Sequence, residues 1–147
     1  MRRVDGMEQN EPERGSLADA PAILVVDDDE DSRRILMYGL GGAGYRVLLA
    51  ENGAAAVELC RNILPNLVIM DLAMPEMDGY TATRTLKADE RTRDVPIIAW
   101  SARVFASENT DLQDAGFDEI LAKPSLPADV IEAVRRHVPA GAAPRGD

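Results

Sequence analysis

Leu67-Val68-Ile69-Met70-Asp71 is a short apolar run that ends on a carboxylate, and Ala22-Ile23-Leu24-Val25-Val26-Asp27-Asp28 ends the same way. Runs of four to six apolar residues read as strands buried on both faces, the pattern of a parallel sheet. Three more of this texture follow the same logic: Arg46–Ala50, Ile97–Trp100 and Glu119–Ala122. With Leu67–Asp71 and Ala22–Val26 they make five expected strands.

Segments with helical spacing separate them. Arg33–Leu40 is apolar at Ile35, Leu36 and Leu40 and stops at Gly41-Gly42. Asn52 reads as the N-cap of Gly53–Leu64, whose Ala56, Val57, Cys60 and Leu64 share one face. Gly79–Ala88 and roughly Ala106–Ala115 come next, the latter closed by Gly116. A last helix over roughly Leu126–Val138 carries Val130, Ile131, Val134 and Val138 at helical intervals. Strict alternation with short connections predicts an α/β fold, (βα)5, a doubly wound, five-stranded parallel sheet with helices on both faces. Ligands of such sheets sit beyond the carboxyl ends of the strands.

The residues at those ends are chemically loaded. Asp27-Asp28-Asp29-Glu30-Asp31 follows the first strand, Asp71 closes the third, Ser101 follows the fourth, and Lys123-Pro124 follows the fifth. Crowded carboxylates need a proton or a cation. An all-oxygen donor set selects Mg²⁺, with Mn²⁺ as its substitute. A metal and an ammonium beside a carboxylate nucleophile are the parts that phosphoryl transfer requires. Asp29, Glu30 and Asp31 keep the plainer reading of carboxylates that favour a helix start.

Composition narrows the field. The 147 residues carry a formal net charge of −10, which opposes binding to nucleic acid or anionic membrane by charge alone. Cys60 is the only cysteine, so an internal disulfide is excluded, and it reads as a helix residue. No apolar run nears the roughly 18 residues of a membrane span, and the start lacks a secretory pattern, which makes the cytoplasm the expected location. The expected organisation is a flexible leader over 1–20, one domain over 21–138 and a flexible tail over 139–147. His137 reads as a helix-end side chain, and Trp100 and Phe117 as core residues.

Taken together, the motifs resemble the receiver domains of two-component signalling. The resemblance covers about residues 22–138. Its residues are Ile23-Leu24-Val25-Val26-Asp27-Asp28, Leu67–Asp71, Met74-Pro75-Glu76-Met77-Asp78-Gly79, Pro96–Ala102, Ala115-Gly116 and Lys123-Pro124. It implies a flavodoxin-like strand order of 2-1-3-4-5. It also implies that Asp71 accepts a phosphoryl group from a histidine kinase or a histidine phosphotransfer protein. Asp28 and Asp71 would hold Mg²⁺ with the backbone carbonyl of Ala73, and Asp27 would act through water. Ser101 and Lys123 would contact the phosphoryl group. Pro75, Gly79 and Pro124 would be structural, the Lys123-Pro124 bond being cis.

The implied function is a stand-alone response regulator, not an enzyme beyond self-phosphorylation and slow autodephosphorylation. It would switch binding to an unknown downstream protein, as a monomer or weak dimer. A phosphorelay shuttle or phosphate sink is the alternative. A haloacid-dehalogenase-type phosphatase is remote, because Asp27–Asp31 lacks the Thr or Val that family places after Asp-x-Asp. Two positions depart from the receiver pattern. Ile120 stands where Tyr or Phe is frequent, and Ser125 stands where Phe is frequent. Ala73 and Arg103 flank the path of the hydrolytic water.

Overall fold

In the computed structural model, the described residues are 19–72, 74, 77–102 and 114–146. Five strands are present: β1 (Ala22–Val26), β2 (Arg46–Ala50), β3 (Leu67–Met70), β4 (Ile97–Ser101) and β5 (Glu119–Ala122). The helices with full bounds are α1 (Glu30–Gly42), α2 (Gly53–Ile63), α3 (Gly79–Ala88) and α4 (Pro127–His137). All strand pairs are parallel and the spatial order is β2-β1-β3-β4-β5, the expected 2-1-3-4-5.

The alternation of side chains across the pleat divides the core in two. Leu24, Val26, Val68, Met70, Ile97 and Ala99 pack with α2 and α3 residues such as Val57, Cys60 and Leu86. Ile23, Val25, Leu67, Ile69, Ile98 and Trp100 pack with Leu36 and Leu40 of α1 and Val130 and Val134 of α4. Burial on both faces is why the strands read as continuous apolar runs.

Caps set the helix starts. Asp29, Asn52 and Asp78 accept hydrogen bonds from the backbone N–H groups of Ser32, Ala55 and Thr81 respectively. Helix α1 therefore begins three residues before the expected Arg33, because the acidic run supplies its own cap. The strand edges differ by one residue: β3 stops at Met70 and β4 takes in Ser101. Asp71 still continues the ladder, its N–H donating to the Val26 carbonyl at 2.9 Å. Most of the helix expected over Ala106–Ala115 lies outside the described residues. Gly116, which was to close it, has a φ of 107°.

The Ala-, Gly- and Pro-rich stretch after α4 reads in sequence as a flexible tail, yet Pro139–Gly146 lies against the amino end of the sheet. Asn66 holds it there: its Oδ1 accepts from Ala22 N and Arg145 N, both at 3.1 Å, and its Nδ2 donates to the Ala143 carbonyl at 2.8 Å. Nearby, the Tyr45 hydroxyl donates to the Val138 carbonyl at 2.5 Å. Residues 1–18 and 147 lie outside the described residues.

Candidate functional site

At the other end of the sheet, β1 and β3 are neighbours, so the residues after each come out side by side. Oxygen atoms of Asp27, Asp28 and Asp71 lie within 4.8 Å of one another. Asp27 is 1% exposed and Asp71 7%, whereas Asp28 opens to solvent. This is a half-covered acidic pit with one carboxylate at its mouth. An unpaired buried charge is costly, so the pit needs positive partners.

One partner comes from β5. Lys123 Nζ lies 2.6 Å from Asp27 Oδ2, and Asp27 Oδ1 accepts from Asp29 N at 2.9 Å. Arg33, one turn into α1, donates from Nη1 to the Asp27 backbone carbonyl at 2.6 Å. Asp71 Oδ1 accepts from its neighbour Leu72 N at 2.8 Å. Hydrogen bonds from the Ser32 hydroxyl and N–H hold the Asp29 carboxyl below the usual carboxylate range. That bond engages Asp29 as a helix cap, as its plainer reading required.

Ser101 closes β4 opposite Ala122, is 1% exposed, and its carbonyl accepts from Lys123 N at 3.0 Å. The β4–β5 pairing thus delivers the hydroxyl and the ammonium to the same rim. The Lys123-Pro124 bond is cis, as the resemblance implied. Gly79 serves close approach: a Cβ there would lie 2.1 Å from the Asp71 carbonyl oxygen, and Gly79 N donates to the Leu72 carbonyl. Its lack of a side chain lets α3 begin directly beneath the Asp71 backbone.

Ala73, Pro75 and Arg103 lie outside the described residues, so their expected roles stand as expectations. Ile120 packs against the α2–α3 core cluster. Cys60 is buried in α2, where burial pushes its thiol up to about 12. His137 meets Glu119 at 2.9 Å. Two features escaped the sequence reading. Arg33 reaching back to Asp27 was hidden in a helix face of charged residues. The Lys123 ammonium lies 4.5 Å from the centroid of the Trp100 ring. The adjacency of Trp100 and Ser101 was visible, but not the ammonium above the ring.

Comparison with known proteins decides the family. The model of the response regulator receiver domain matches residues 23–135. The chain belongs to this family. It is 38% identical over 113 residues to the response regulator MprA of Mycobacterium sp. (strain KMS), a match spanning 77% of the chain and 48% of MprA. The chain therefore spans about half the length of that regulator.

The receiver domain of the sensor histidine kinase PA1611 from Pseudomonas aeruginosa PAO1, solved with magnesium coordinated in its active-site cleft, superposes with a TM-score of 0.74. It is 33% identical, and the match covers 80% of this chain and 96% of that one. The chemotaxis protein CheY4 of Vibrio cholerae shares the fold with a TM-score of 0.76 at 23% identity, the match covering 80% of this chain and 98% of CheY4. The chain thus carries a response regulator receiver domain, a signalling domain. Among the described residues, no helix is long and apolar enough to cross a membrane.

Proposed function

We propose that this receiver accepts a phosphoryl group on Asp71, from a phosphohistidine donor, with Mg²⁺ held in the acidic pit. The observation that carries the reading is the convergence of Asp27, Asp28 and Asp71 within 4.8 Å, with Lys123 paired to Asp27. Among the described residues, three carboxylates converge there with the Lys123 ammonium on Asp27 and the Arg33 guanidinium on its backbone carbonyl, and a divalent cation fits the acidic, all-oxygen donor set. Asp28 and Asp71 would bind the ion directly, Asp27 through water, and the Ala73 carbonyl would complete the protein ligands. When bound, Mg²⁺ supplies charge neutralisation to the phosphoryl oxygens.

The remaining chemistry belongs to the chain. A carboxylate oxygen of Asp71 attacks phosphorus, forming an O–P bond as the donor's N–P bond breaks. The imidazole nitrogen leaves with the electron pair and takes up a proton. The product is a mixed anhydride on Asp71. Lys123 places an ammonium at the rim as a compact point charge, and Ser101 can turn its hydroxyl towards a phosphoryl oxygen once one is present. The changed contacts of Ser101 and Lys123 distinguish the two states, and a partner protein reads that difference.

The test uses phosphoramidate or a phosphohistidine protein with Mg²⁺, read by mass spectrometry of the intact protein. The wild type should gain one phosphoryl group, and Asp71→Asn or chelation of the metal should prevent it. Labelling that survives Asp71→Asn, or a wild type that takes no label with Mg²⁺ present, would sink the reading. Return of the label to a second histidine protein would make the domain a phosphorelay shuttle.

A further inference from the structure

The indole of Trp100 is buried at 7% exposure on the α1–α4 side of the sheet, packed among residues such as Ile98, Leu36 and Val130. Among the described residues its Nε1 has no hydrogen-bond partner. What lies over its face is the Lys123 ammonium, 4.5 Å from the centroid. The register puts Trp100 opposite Leu121, and Lys123 stands two residues further on. Lys123 follows directly on β5, and its stem runs to the indole side, where the ammonium meets the ring. The chain end of that stem then meets Asp27 at 2.6 Å.

We propose that Trp100 is the positioning residue of Lys123, its ring face fixing the ammonium that meets the phosphoryl group. The proposal rests on the phosphoacceptor reading above. A lysine stem has many rotamers, and a carboxylate alone gives its ammonium a single point of attachment. Asp27 is also the carboxylate that a metal in the pit would draw on. The ring offers the ammonium a contact for which the ion does not compete, and a largely desolvated cation over an indole is held more strongly than an exposed one. Lys123 is 20% exposed. Metal and lysine can thus occupy the pit together without contending for one anchor.

The test separates the two ligands of the site by calorimetry on the whole protein. Affinity for Mg²⁺ alone reports the carboxylates. Affinity for beryllofluoride with Mg²⁺ saturating reports the groups that contact a phosphoryl mimic. Trp100→Leu should leave the Mg²⁺ affinity within about twofold and lower the beryllofluoride affinity about tenfold, with Trp100→Phe recovering part of the loss. Unchanged beryllofluoride binding in Trp100→Leu would overturn the proposal. So would an equal fall in both affinities, which is the signature of a ring that only packs the core.

A second readout needs no variant. In the wild type, the ring current should shift the Lys123 Hε protons upfield in the NMR spectrum, and the shift should persist when Mg²⁺ is added. Ordinary lysine positions for those protons, or a shift that Mg²⁺ abolishes, would equally overturn it. A wild type that binds no beryllofluoride while keeping the ring-current shift would instead fail the phosphoacceptor reading.

Discussion

The two ends of the sheet solve the same problem in opposite ways. At the amino end, Asn66 meets backbone groups of β1 and of the segment after α4, and it uses both its oxygen and its nitrogen. The side chain is neutral and its partners are all at hand. At the carboxyl end, among the described residues, three carboxylates crowd together and one of them, Asp27, pairs with the Lys123 ammonium. Satisfied polar groups stabilise, whereas like charges held together cost free energy unless something external joins them. The first end therefore closes the fold, and the second is where the proposed metal and phosphoryl group would bind.

The largest test of that contrast is Asn66→Ala. It strips partners from Ala22 N, Arg145 N and the Ala143 carbonyl, each loss costing about 1–3 kcal/mol where water cannot reach. A fall of about 3 kcal/mol in urea unfolding is expected, with phosphoryl uptake unchanged. Loss of uptake in a folded variant would mean that the two ends are not independent. At the carboxyl end the sign should reverse with ligand. Mg²⁺ at a hundred times its Kd should stabilise the wild type and Asn66→Ala alike by about 2.7 kcal/mol. Asp28→Asn should lose most of that gain, and a full Mg²⁺ response in Asp28→Asn would remove Asp28 from the ligand set.

Gly79→Ala probes the scaffold beneath the pit. A Cβ at 2.1 Å from the Asp71 carbonyl oxygen forces the backbone apart, at a cost of about 2 kcal/mol, typical of overpacking. Labelling of Asp71 should slow along with it. A variant as stable and as fast as wild type would show that α3 can retreat freely. The smallest effect sharpens the amino end. Burial holds the Tyr45 phenol above its ordinary value, so the fold favours the neutral form. Its contribution is complete below the unfolded phenol's pKa and is lost as pH rises through the folded value. Ultraviolet titration should find Tyr45 ionising above the ordinary value of a phenol. Ionisation at the ordinary value would contradict the buried hydroxyl.

Helix starts were readable where a side chain caps its own segment, as at Asn52. The start of α1 was misjudged by three residues because apolar spacing begins late there, while the cap belongs to the acidic run. The contacts of Ala143 and Arg145 with Asn66 were illegible for a similar reason. Ala, Gly and Pro carry no apolar signal of docking, and the residue that receives them, Asn66, is 77 residues from Ala143.

Local patterns of apolar residues set the alternation of strands and helices, and with it which residues end each strand. Period and apolar runs are local properties, and strict βα alternation leaves few topologies. Asp27, Asp28, Asp71, Ser101 and Lys123 were legible for that reason. Which of them touch follows from the packed fold alone. Lys123 pairs with Asp27 and lies over Trp100, Arg33 returns to the Asp27 carbonyl, and Gly79 admits the Asp71 backbone. Such contacts depend on strand register and on rotamers of long side chains, which no local pattern encodes.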